Sequence, residues 1–227
     1  MKFPLGRTFL VLTVGAAAIF VLFPGLDLAV SGLFYRDGDF FLRDNAAVRL
    51  LYRYGERPVE IVAGASLILY LTAWARHRAS LLGQPRRIWL YFFLAAVLGP
   101  GLTVNVILKD HFGRARPIQV REFGGDRVFT RAFDISDQCR HNCSFTCGHC
   151  AAGFYFLTFG FVLRGNARRA AFAAGALLGT LLGAARLVQG AHFLSDVVFS
   201  LIFVYAVSAL LHYAMFREQY IPRIGTA

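Results

Sequence analysis

The stretch LSDVVFSLIFVYAVSALLHYAMF, Leu194 to Phe216, is apolar over almost its whole length and decides the class of fold. A run of this length is typical of a helix that crosses a lipid bilayer, which needs roughly 20 apolar residues. The rest of the chain has the same character, since 57% of its 227 residues are hydrophobic and its mean hydropathy is +0.53. Soluble domains of this size rarely carry so much apolar content, so the sequence predicts an all-α integral membrane protein.

Five further apolar segments precede this stretch, which gives six candidate membrane-spanning helices. Several are shorter than the roughly 20 residues of a straight span, so their bounds are approximate. The six are Thr8 to Phe23, Val59 to Trp74, Ile88 to Leu108, Gly148 to Leu163, Ala170 to Leu187, and Leu194 to Phe216. We therefore expect one integral-membrane domain over residues 1–227, built as a six-span transmembrane helical bundle.

Three local patterns refine this outline. The triplet at 99–101, Gly-Pro-Gly, predicts a kink in the third span. The segment from Leu26 to Phe41 mixes acids with aromatic residues, and we expect it to lie at the membrane interface. In the fifth span glycines recur every four residues, at Gly175, Gly179 and Gly183, which favours close helix packing.

The first span admits a second interpretation, a cleaved signal peptide, because Lys2 and Arg7 precede its apolar run. A small-x-small cleavage site is not evident after the run, where Pro24 and Gly25 intervene. We therefore expect an uncleaved anchor.

The distribution of basic residues predicts the orientation. The net charge is +11, but the arginines cluster between apolar runs, which indicates membrane topology and anionic lipids and not a nucleic-acid partner. Both chain ends and the loops after the second and fourth spans are basic and lie on one side of a six-span chain. Their basic residues are Lys2, Arg7, Arg76, Arg78, Arg86, Arg87, Arg164, Arg168, Arg169, Arg217 and Arg223. The positive-inside rule makes that side cytoplasmic, so the other loops face the periplasm of a bacterial inner membrane.

Three polar clusters lie at span ends on this predicted outer side. They are the segment from Lys109 to Pro117, the segment from Ser144 to His149, and the set Arg186, His192 and Asp196. Among their residues are cations, the two histidines His149 and His192, and the carboxylate of Asp196. A dianionic phosphoryl group needs such a set, because cations hold it, a nucleophile attacks it and an acid protonates the leaving oxygen.

The histidines have distinct expected roles. His192 and Asp196 are four residues apart and share a helix face, so the carboxylate can fix the ring while its other nitrogen attacks phosphorus. Gly148 and His149 begin the fourth span, where free backbone N–H groups suit a phosphate and His149 suits a general acid. Each pattern alone also fits a structural role, an interfacial Arg–Asp pair in one case and a helix-capping turn in the other.

The first cluster supplies further cations. Lys109 and Arg116 are seven residues apart, about two helical turns, so both can point at one phosphate. Arg114 is offset from them, and we expect it to bind a second anionic group. Taken alone, this cluster favours an ordinary basic loop beside the membrane.

In order and spacing the three clusters resemble the motifs of the type 2 phosphatidic acid phosphatase superfamily, which includes membrane lipid phosphatases and vanadium haloperoxidases. The first family motif, Lys-x6-Arg-Pro, is matched by Lys109, Arg116 and Pro117. The second, Pro-Ser-Gly-His, is matched in part by Gly148 and His149. The third, Ser-Arg-x5-His-x3-Asp, is matched from its arginine onward by Arg186, His192 and Asp196.

The resemblance implies a role for each matched residue. His192 would be the nucleophile, His149 the general acid and Asp196 the residue that orients His192. The substrate phosphate would be held by Lys109, Arg116, Arg186 and Gly148. Hydrolysis in that family needs no metal, so we expect no metal site and no cofactor.

Three positions depart from the family motifs. Thr146 replaces a proline, Cys147 replaces the serine that helps to bind phosphate, and Ala185 replaces a serine. A thiol is a weaker hydrogen-bond donor than a hydroxyl. We expect Cys147 to weaken or retune phosphate binding without abolishing catalysis.

All four cysteines lie within a short segment: Cys139, Cys143, Cys147 and Cys150. An oxidising periplasm permits disulfides, and of the three possible pairing schemes we favour one with Cys139 bonded to Cys143, which would staple the loop before the site. Cys147 and Cys150 also match a redox motif, so a membrane thiol-disulfide oxidoreductase is the rival hypothesis from a different class. A cysteine metal site and a transporter are less favoured alternatives.

The favoured function is hydrolysis of a lipid phosphate, because a site at the membrane surface is reached by lateral diffusion. The loop from Ile118 to Thr146 is rich in arginine, and this segment looks most like the lipid A phosphatases of the family. Undecaprenyl diphosphate, phosphatidylglycerol phosphate and phosphate transfer to a second lipid remain open. The sequence does not settle the oligomeric state.

Overall fold

The computed structural model describes residues 5–217, apart from the side chain of Asp110. Lys2 and Arg223, used above for the orientation, lie outside the described residues. The chain forms helices joined by loops and two short β-hairpins, as follows: α1 Arg7–Leu22, α2 Gly25–Gly32, β1 Tyr35–Arg36, β2 Asp39–Phe40, α3 Ala46–Tyr54, α4 Arg57–Ala75, β3 Ser80–Leu81, β4 Gln84–Pro85, α5 Arg86–Ala96, α6 Lys109–His111, α7 Gly148–Phe154, α8 Thr158–Val162, α9 Gly165–Val188 and α10 Leu194–Phe216. Short 3-10 turns cover Pro117–Gln119, Arg121–Phe123 and Tyr155–Leu157.

A π-helical segment, Val97–Leu108, continues α5 where the sequence predicted a kink. Pro100 has no N–H group and cannot complete an α-helical ladder, so the backbone around it must be supported in another way. Two polar side chains of the segment bond to carbonyl oxygens five residues earlier. Thr103 Oγ1 donates to Leu98 at 2.7 Å, and Asn105 Nδ2 donates to Pro100 at 2.9 Å. The segment leads directly into Lys109.

Four helical stretches among the described residues are long and apolar enough to cross a membrane. They are Ala46–Ala75, Arg86–Leu108, Gly165–Val188 and Leu194–Phe216. A fifth is reached if α1 and α2, which meet at a bend of 82°, are counted as one broken span. The fourth predicted span corresponds to Gly148–Val162, which is apolar but shorter. Length and composition in the described part of the chain therefore support four or five spans, and the predicted six is reached if the shorter Gly148–Val162 is counted as well.

The outward faces of these helices are apolar. Leu12 in α1 is 67% exposed, Ile68 in α4 is 65% exposed and Leu177 in α9 is 71% exposed. Apolar side chains exposed along whole helices are costly in water but match the interior of a bilayer. The fold is thus a helical membrane bundle.

The segment from Leu26 to Phe41, which we expect at the membrane interface, buries some of its polar side chains and exposes others. Asp27 in α2 is buried, as is Ser31 one turn later, whereas Asp37 and Asp39 are exposed. Phe40 on β2 is also buried, against Val120 and Phe123 of the loop that follows α6. This segment therefore packs its polar helix face into the protein.

The glycines of α9 lie where other elements approach most closely. A Cβ atom on Gly183 would lie 2.6 Å from Val197 of α10, and one on Gly179 would overlap the ring of Phe154 in α7. Gly175 lies equally close to the backbone at Leu157. Close packing of α7 and α10 on α9 is therefore the role of these glycines in the fold, and it brings the amino ends of both helices beside the carboxyl end of α9.

We expect Gly179→Ala to lower the free energy of unfolding by about 1–3 kcal/mol, because the added methyl group overpacks the contact with Phe154. The matched control is Gly64→Ala in α4, where a Cβ meets no atom within 4 Å. That control should stabilise the protein slightly, since alanine is the better helix former. Unfolding in detergent followed by circular dichroism measures both. Equal stability of the two variants would contradict the packing role.

Candidate active site

His192 lies in the short loop between α9 and α10 and is 1% exposed. Its Nδ1 atom is 2.8 Å from the carbonyl oxygen of Ser144 and 3.3 Å from Oδ2 of Asp196. Both neighbours accept hydrogen bonds, so the proton of a neutral ring lies on Nδ1 and the lone pair on Nε2. Burial lowers the pKa of His192 to about 3, against the opposing effect of Asp196. The ring is therefore neutral near pH 7, with Nε2 able to act as a nucleophile.

Asp196 holds this ring through a saturated set of hydrogen bonds. Besides His192, its carboxylate accepts from Ser144 Oγ at 2.5 Å and from the backbone N–H of Phe193 at 2.9 Å. The bond from Phe193 places Asp196 as an acid in the first turn of α10, where the helix dipole favours negative charge. The other carboxylate oxygen, Oδ1, accepts from Arg114 at 2.8 Å.

Arg114 joins Asp196 to a second buried carboxylate. Its Nη2 atom is 2.8 Å from Oδ2 of Asp27, and its Nη1 atom donates to both Asp196 and Ser195 Oγ. Its Nε atom donates to the carbonyl of Thr130 at 2.9 Å. Asp27 in turn accepts from the backbone and the hydroxyl of Ser195, at 2.8 and 2.6 Å.

This geometry corrects the prediction that Arg114 binds a second anionic group. The side chain is 1% exposed, and its donors are used within the protein. The guanidinium also lies 4.2 Å from the centre of the Phe193 ring. Arg114 therefore supports Asp196 from behind and does not reach a substrate.

Lys109 and Arg116 converge on one residue, Asn142. Lys109 Nζ donates to Asn142 Oδ1 at 3.0 Å, and Arg116 Nη2 donates to the Asn142 carbonyl at 2.8 Å. Asn142 has a left-handed backbone, with φ of 53°, and lies inside a loop closed by a disulfide between Cys139 and Cys143. That is the pairing favoured from the sequence. The disulfide loop thus positions two of the predicted phosphate-binding cations.

Arg186, in the last turn of α9, supplies the third cation. Its Nη1 atom donates to Gln189 at 2.5 Å, while its buried Nε atom has no hydrogen-bond partner among residues 5–217. Arg116 and Arg186 are close enough to interact electrostatically with each other and with His192. Burial lowers the pKa of Arg116. Buried Arg186, whose Nε atom can still donate a hydrogen bond, and half-buried Arg116 together form a concentrated positive field that suits an anion.

His149, the second residue of α7, is held by α3 and by the turn that joins α3 to α4. Its Nε2 atom is 3.0 Å from the carbonyl oxygen of Tyr52, and its Nδ1 atom is 3.1 Å from Oε1 of Glu56. The rings of His149 and Tyr52 stack with their centres 4.9 Å apart. The guanidinium of Arg186 also lies over the Tyr52 ring, 4.5 Å from its centre. One aromatic ring therefore contacts both a predicted acid and a predicted cation.

Gly148 lies between this histidine and Lys109. A Cβ atom here would lie 3.3 Å from Lys109 Nζ and would overlap Oδ1 of Asn105. Any side chain would fill the space beside the lysine, so the glycine keeps this space open.

Cys147 does not take the predicted role. Its sulfur is bonded to Cys150, and its N–H group donates to Ser200 Oγ at 2.9 Å. Neither group is available to a phosphate, which corrects the prediction that Cys147 helps to bind the substrate. Both cysteines are fully buried. Thiol-disulfide exchange requires access to the sulfur, so burial disfavours the redox hypothesis.

Five residues of the site were missed or given no role from the sequence. They are Asp27, Tyr52, Glu56, Asn142 and Ser144. Only Asp27 carried a usable signal, because an acid within an apolar helix is rare without a partner. The others lie in loops or at helix ends whose approach to the motifs depends on tertiary packing.

A groove of about 540 Å³ opens beside the site. It lies between α4, the π-helical segment and α7, and its walls are mostly apolar. Polar groups occur mainly toward one end, where Glu56, Asn105 and Gly148 join it to the site. The groove thus leads from the cluster of charges along the outer face of the bundle.

We expect Arg114→Met to destabilise the protein by about 3–5 kcal/mol, because it leaves Asp27 and Asp196 buried together without a counter-charge. Arg131→Met is the matched control, since Arg131 forms an exposed pair with Asp134 and should leave the unfolding temperature unchanged. Thermal unfolding in detergent tests both. An Arg114→Met protein as stable as the control would show that the buried network contributes little.

The sequence of the chain is similar to those of known proteins. Residues 88–220 match the model of the PAP2 superfamily. The chain is 37% identical over 205 residues to a lipid A 4'-phosphatase of Francisella tularensis subsp. novicida (strain U112), covering 88% of this chain and 90% of that protein.

Two further relatives carry the same description. A lipid A 4'-phosphatase of Rhizobium leguminosarum is 36% identical over 195 residues, covering 80% of this chain and 83% of the relative. One from Rhizobium etli is 35% identical over 194 residues, covering 79% and 75%. No solved structure matches the chain. The family match covers more than half of the chain and includes every catalytic residue proposed above, so the chain belongs to the PAP2 superfamily.

Proposed function

We propose that this protein hydrolyses a phosphate ester of lipid A, at the 4' position named in its relatives. Its family and relatives make it a membrane lipid phosphatase. The observation that carries the mechanism is the neutral, buried His192, whose Nδ1 faces Asp196 and whose ring interacts electrostatically with Arg116 and Arg186.

In the first step Nε2 of His192 attacks phosphorus. The N–P bond forms as the bond from phosphorus to the sugar oxygen breaks, and His149 gives that oxygen a proton. The ring of His192 gains positive charge, which Asp196 stabilises through Nδ1. Lys109, Arg116 and Arg186 offset the charge of the phosphoryl oxygens.

In the second step water attacks the phosphohistidine. His149, now without its extra proton, accepts one from the water, and inorganic phosphate leaves with His192 restored. The same intermediate can pass its phosphate to a lipid hydroxyl in place of water, so transfer to a second lipid uses the same residues.

The proposed topology has six crossings and a periplasmic site. Five helix ends meet at the site: the carboxyl ends of the π-helical segment and of α9, and the amino ends of α4, α7 and α10. Helices that alternate in this way fit a chain that crosses the membrane with each element, the short Gly148–Val162 stretch included. The basic loops at β3–β4 and before α9 then face the cytoplasm.

The groove supports a lipid substrate. Its apolar walls fit acyl chains, and its polar end meets the residues that would bind the phosphate. The loop between Ile118 and Thr146 adds exposed arginines beside the site, which suits a headgroup with more than one phosphate.

Purified wild-type protein in detergent should release phosphate from lipid A without added metal, and His192→Ala should abolish the release. Undecaprenyl diphosphate, phosphatidylglycerol phosphate and phosphatidic acid complete the panel and rank the headgroups. Phosphate release is measured colorimetrically, and a lipid acceptor is included to detect transfer by mass spectrometry. No release from any of these lipids by folded wild-type protein would reject the proposal.

The double variant Cys139→Ser/Cys143→Ser should raise KM for the lipid phosphate by roughly tenfold, equivalent to about one lost hydrogen bond, and change kcat less. The reason is that the open loop no longer fixes Asn142 between Lys109 and Arg116. Steady-state kinetics on the best lipid of the panel measures this. An unchanged KM would mean that the loop holds Asn142 without the disulfide.

A further inference from the structure

Both ring nitrogens of His149 face oxygen atoms that accept hydrogen bonds. Nε2 faces the backbone carbonyl of Tyr52 at 3.0 Å, and Nδ1 faces the carboxyl group of Glu56 at 3.1 Å. A carbonyl oxygen can only accept, so Nε2 carries a proton. The family motif assigns neither Tyr52 nor Glu56 a role, and both precede the residues matched by the family model.

The contact with Glu56 then requires a second proton. If Nδ1 held a bare lone pair against an ionised carboxylate, two acceptors would face each other at 3.1 Å. The contact is favourable only when one proton lies between them, either on Nδ1 as an imidazolium or on Glu56. In both forms the pair of Glu56 and His149 holds one proton more than the neutral histidine alone.

Burial of His149 disfavours a positive ring, and so do the cations around it. Arg186 from α9 and Lys109 from α6 both repel the positive charge, and the Tyr52 ring from α3 stacks on the imidazole face. Among the described residues, Glu56 is the one acid recorded to interact with His149. Without Glu56, the same cations that bind phosphate would drive the proton off the histidine.

The position of Glu56 also fits the departure of the substrate. It lies between α3 and α4, is partly exposed, and lines the polar end of the apolar groove together with Gly148. A leaving lipid whose chains lie in this groove therefore has its freed oxygen close to the Glu56–His149 pair.

We propose that Glu56 is a positioning residue that keeps His149 protonated for the departure of the lipid, with Tyr52 fixing the ring by its carbonyl oxygen and by stacking. This rests on the proposed function. As the bond from phosphorus to the lipid oxygen breaks, that oxygen takes the proton held between His149 Nδ1 and Glu56. Water that then attacks the phosphohistidine returns a proton to the pair, so the cycle balances.

The kinetic test is Glu56→Gln, which keeps the shape of the side chain and removes its charge. On the lipid substrate we expect kcat to fall by about 100-fold, as for loss of general acid catalysis, with KM changed less than threefold. The high-pH limb of the kcat profile should move down by about one pH unit, since an opposite charge at this distance favours the protonated ring. Glu122→Gln, an exposed glutamate in the outer loop, is the matched control and should behave as wild type.

Two variants separate the role of the Tyr52 ring from that of its hydroxyl. Tyr52→Phe keeps the stacking surface and the backbone carbonyl and should retain kcat within about threefold. Tyr52→Ala removes the surface that His149 and Arg186 share and should lose activity. Loss of activity in the Phe variant would show that the hydroxyl has a separate role and would overturn this assignment for Tyr52.

A direct measurement does not depend on turnover. Side-chain carbon NMR of labelled histidine, with the signal of His149 identified by its loss in His149→Gln, follows protonation in detergent. The His149 signal should stay in its protonated form to higher pH in wild type than in Glu56→Gln. An identical titration in the two proteins would overturn the inference even where His192-dependent phosphate release is established. A shifted titration in a protein that releases no phosphate would reject the proposed function and leave the proton-holding pair in place.

Discussion

The buried ion pairs of Arg114 are the interaction on which the rest of the structure depends. One guanidinium contacts Asp27 from α2 and Asp196 from α10, and all three side chains are almost wholly buried. Isolated charges in such surroundings are very costly, so each of these residues requires the others. The network therefore fixes the amino end of α10, and with it the position of His192.

The network also determines the net charge next to the nucleophile, His192. Two carboxylates and one guanidinium leave one formal negative charge behind a neutral His192. A ring that becomes positive as it bonds to phosphorus balances that charge. The ion-pair network that stabilises the fold therefore also favours the charge distribution that develops during catalysis.

Sequence reasoning located the residues of the site better than it described their contacts. The order and spacing of Lys109, Arg116, His149, His192 and Asp196 identified the family, because these distances along the chain are specific. The number of spans was less accessible, because the predicted fourth span, at 148–162, is shorter than a helix normally needs to cross a membrane. Glu56 lies 93 residues before His149, and Asp27 lies 169 residues before Asp196, so no local pattern in the sequence encodes these contacts.

Two errors have a common physical cause. Arg114 and Cys147 were assigned to substrate because they lie within motifs that carry binding residues. Side chains next to one another in an irregular loop point in different directions, so one arginine of the first cluster faces the site and its neighbour faces the core. The difference between Arg114 and Arg116 is one of burial, which a loop sequence does not reveal.

The short helical stretch Gly148–Val162 has a consequence for the surrounding lipid on the proposed topology. A bilayer core is about 30 Å thick, and a helix needs about 20 residues to span it. Where a shorter segment crosses, the bilayer thins or polar headgroups are drawn inward to meet its ends. His149 stands at the outer end of this segment, so hydrophobic mismatch would lower the outer leaflet toward the catalytic groups. Bilayer thickness would then tune the rate at which a lipid phosphate reaches the enzyme, independently of any change in its chemistry.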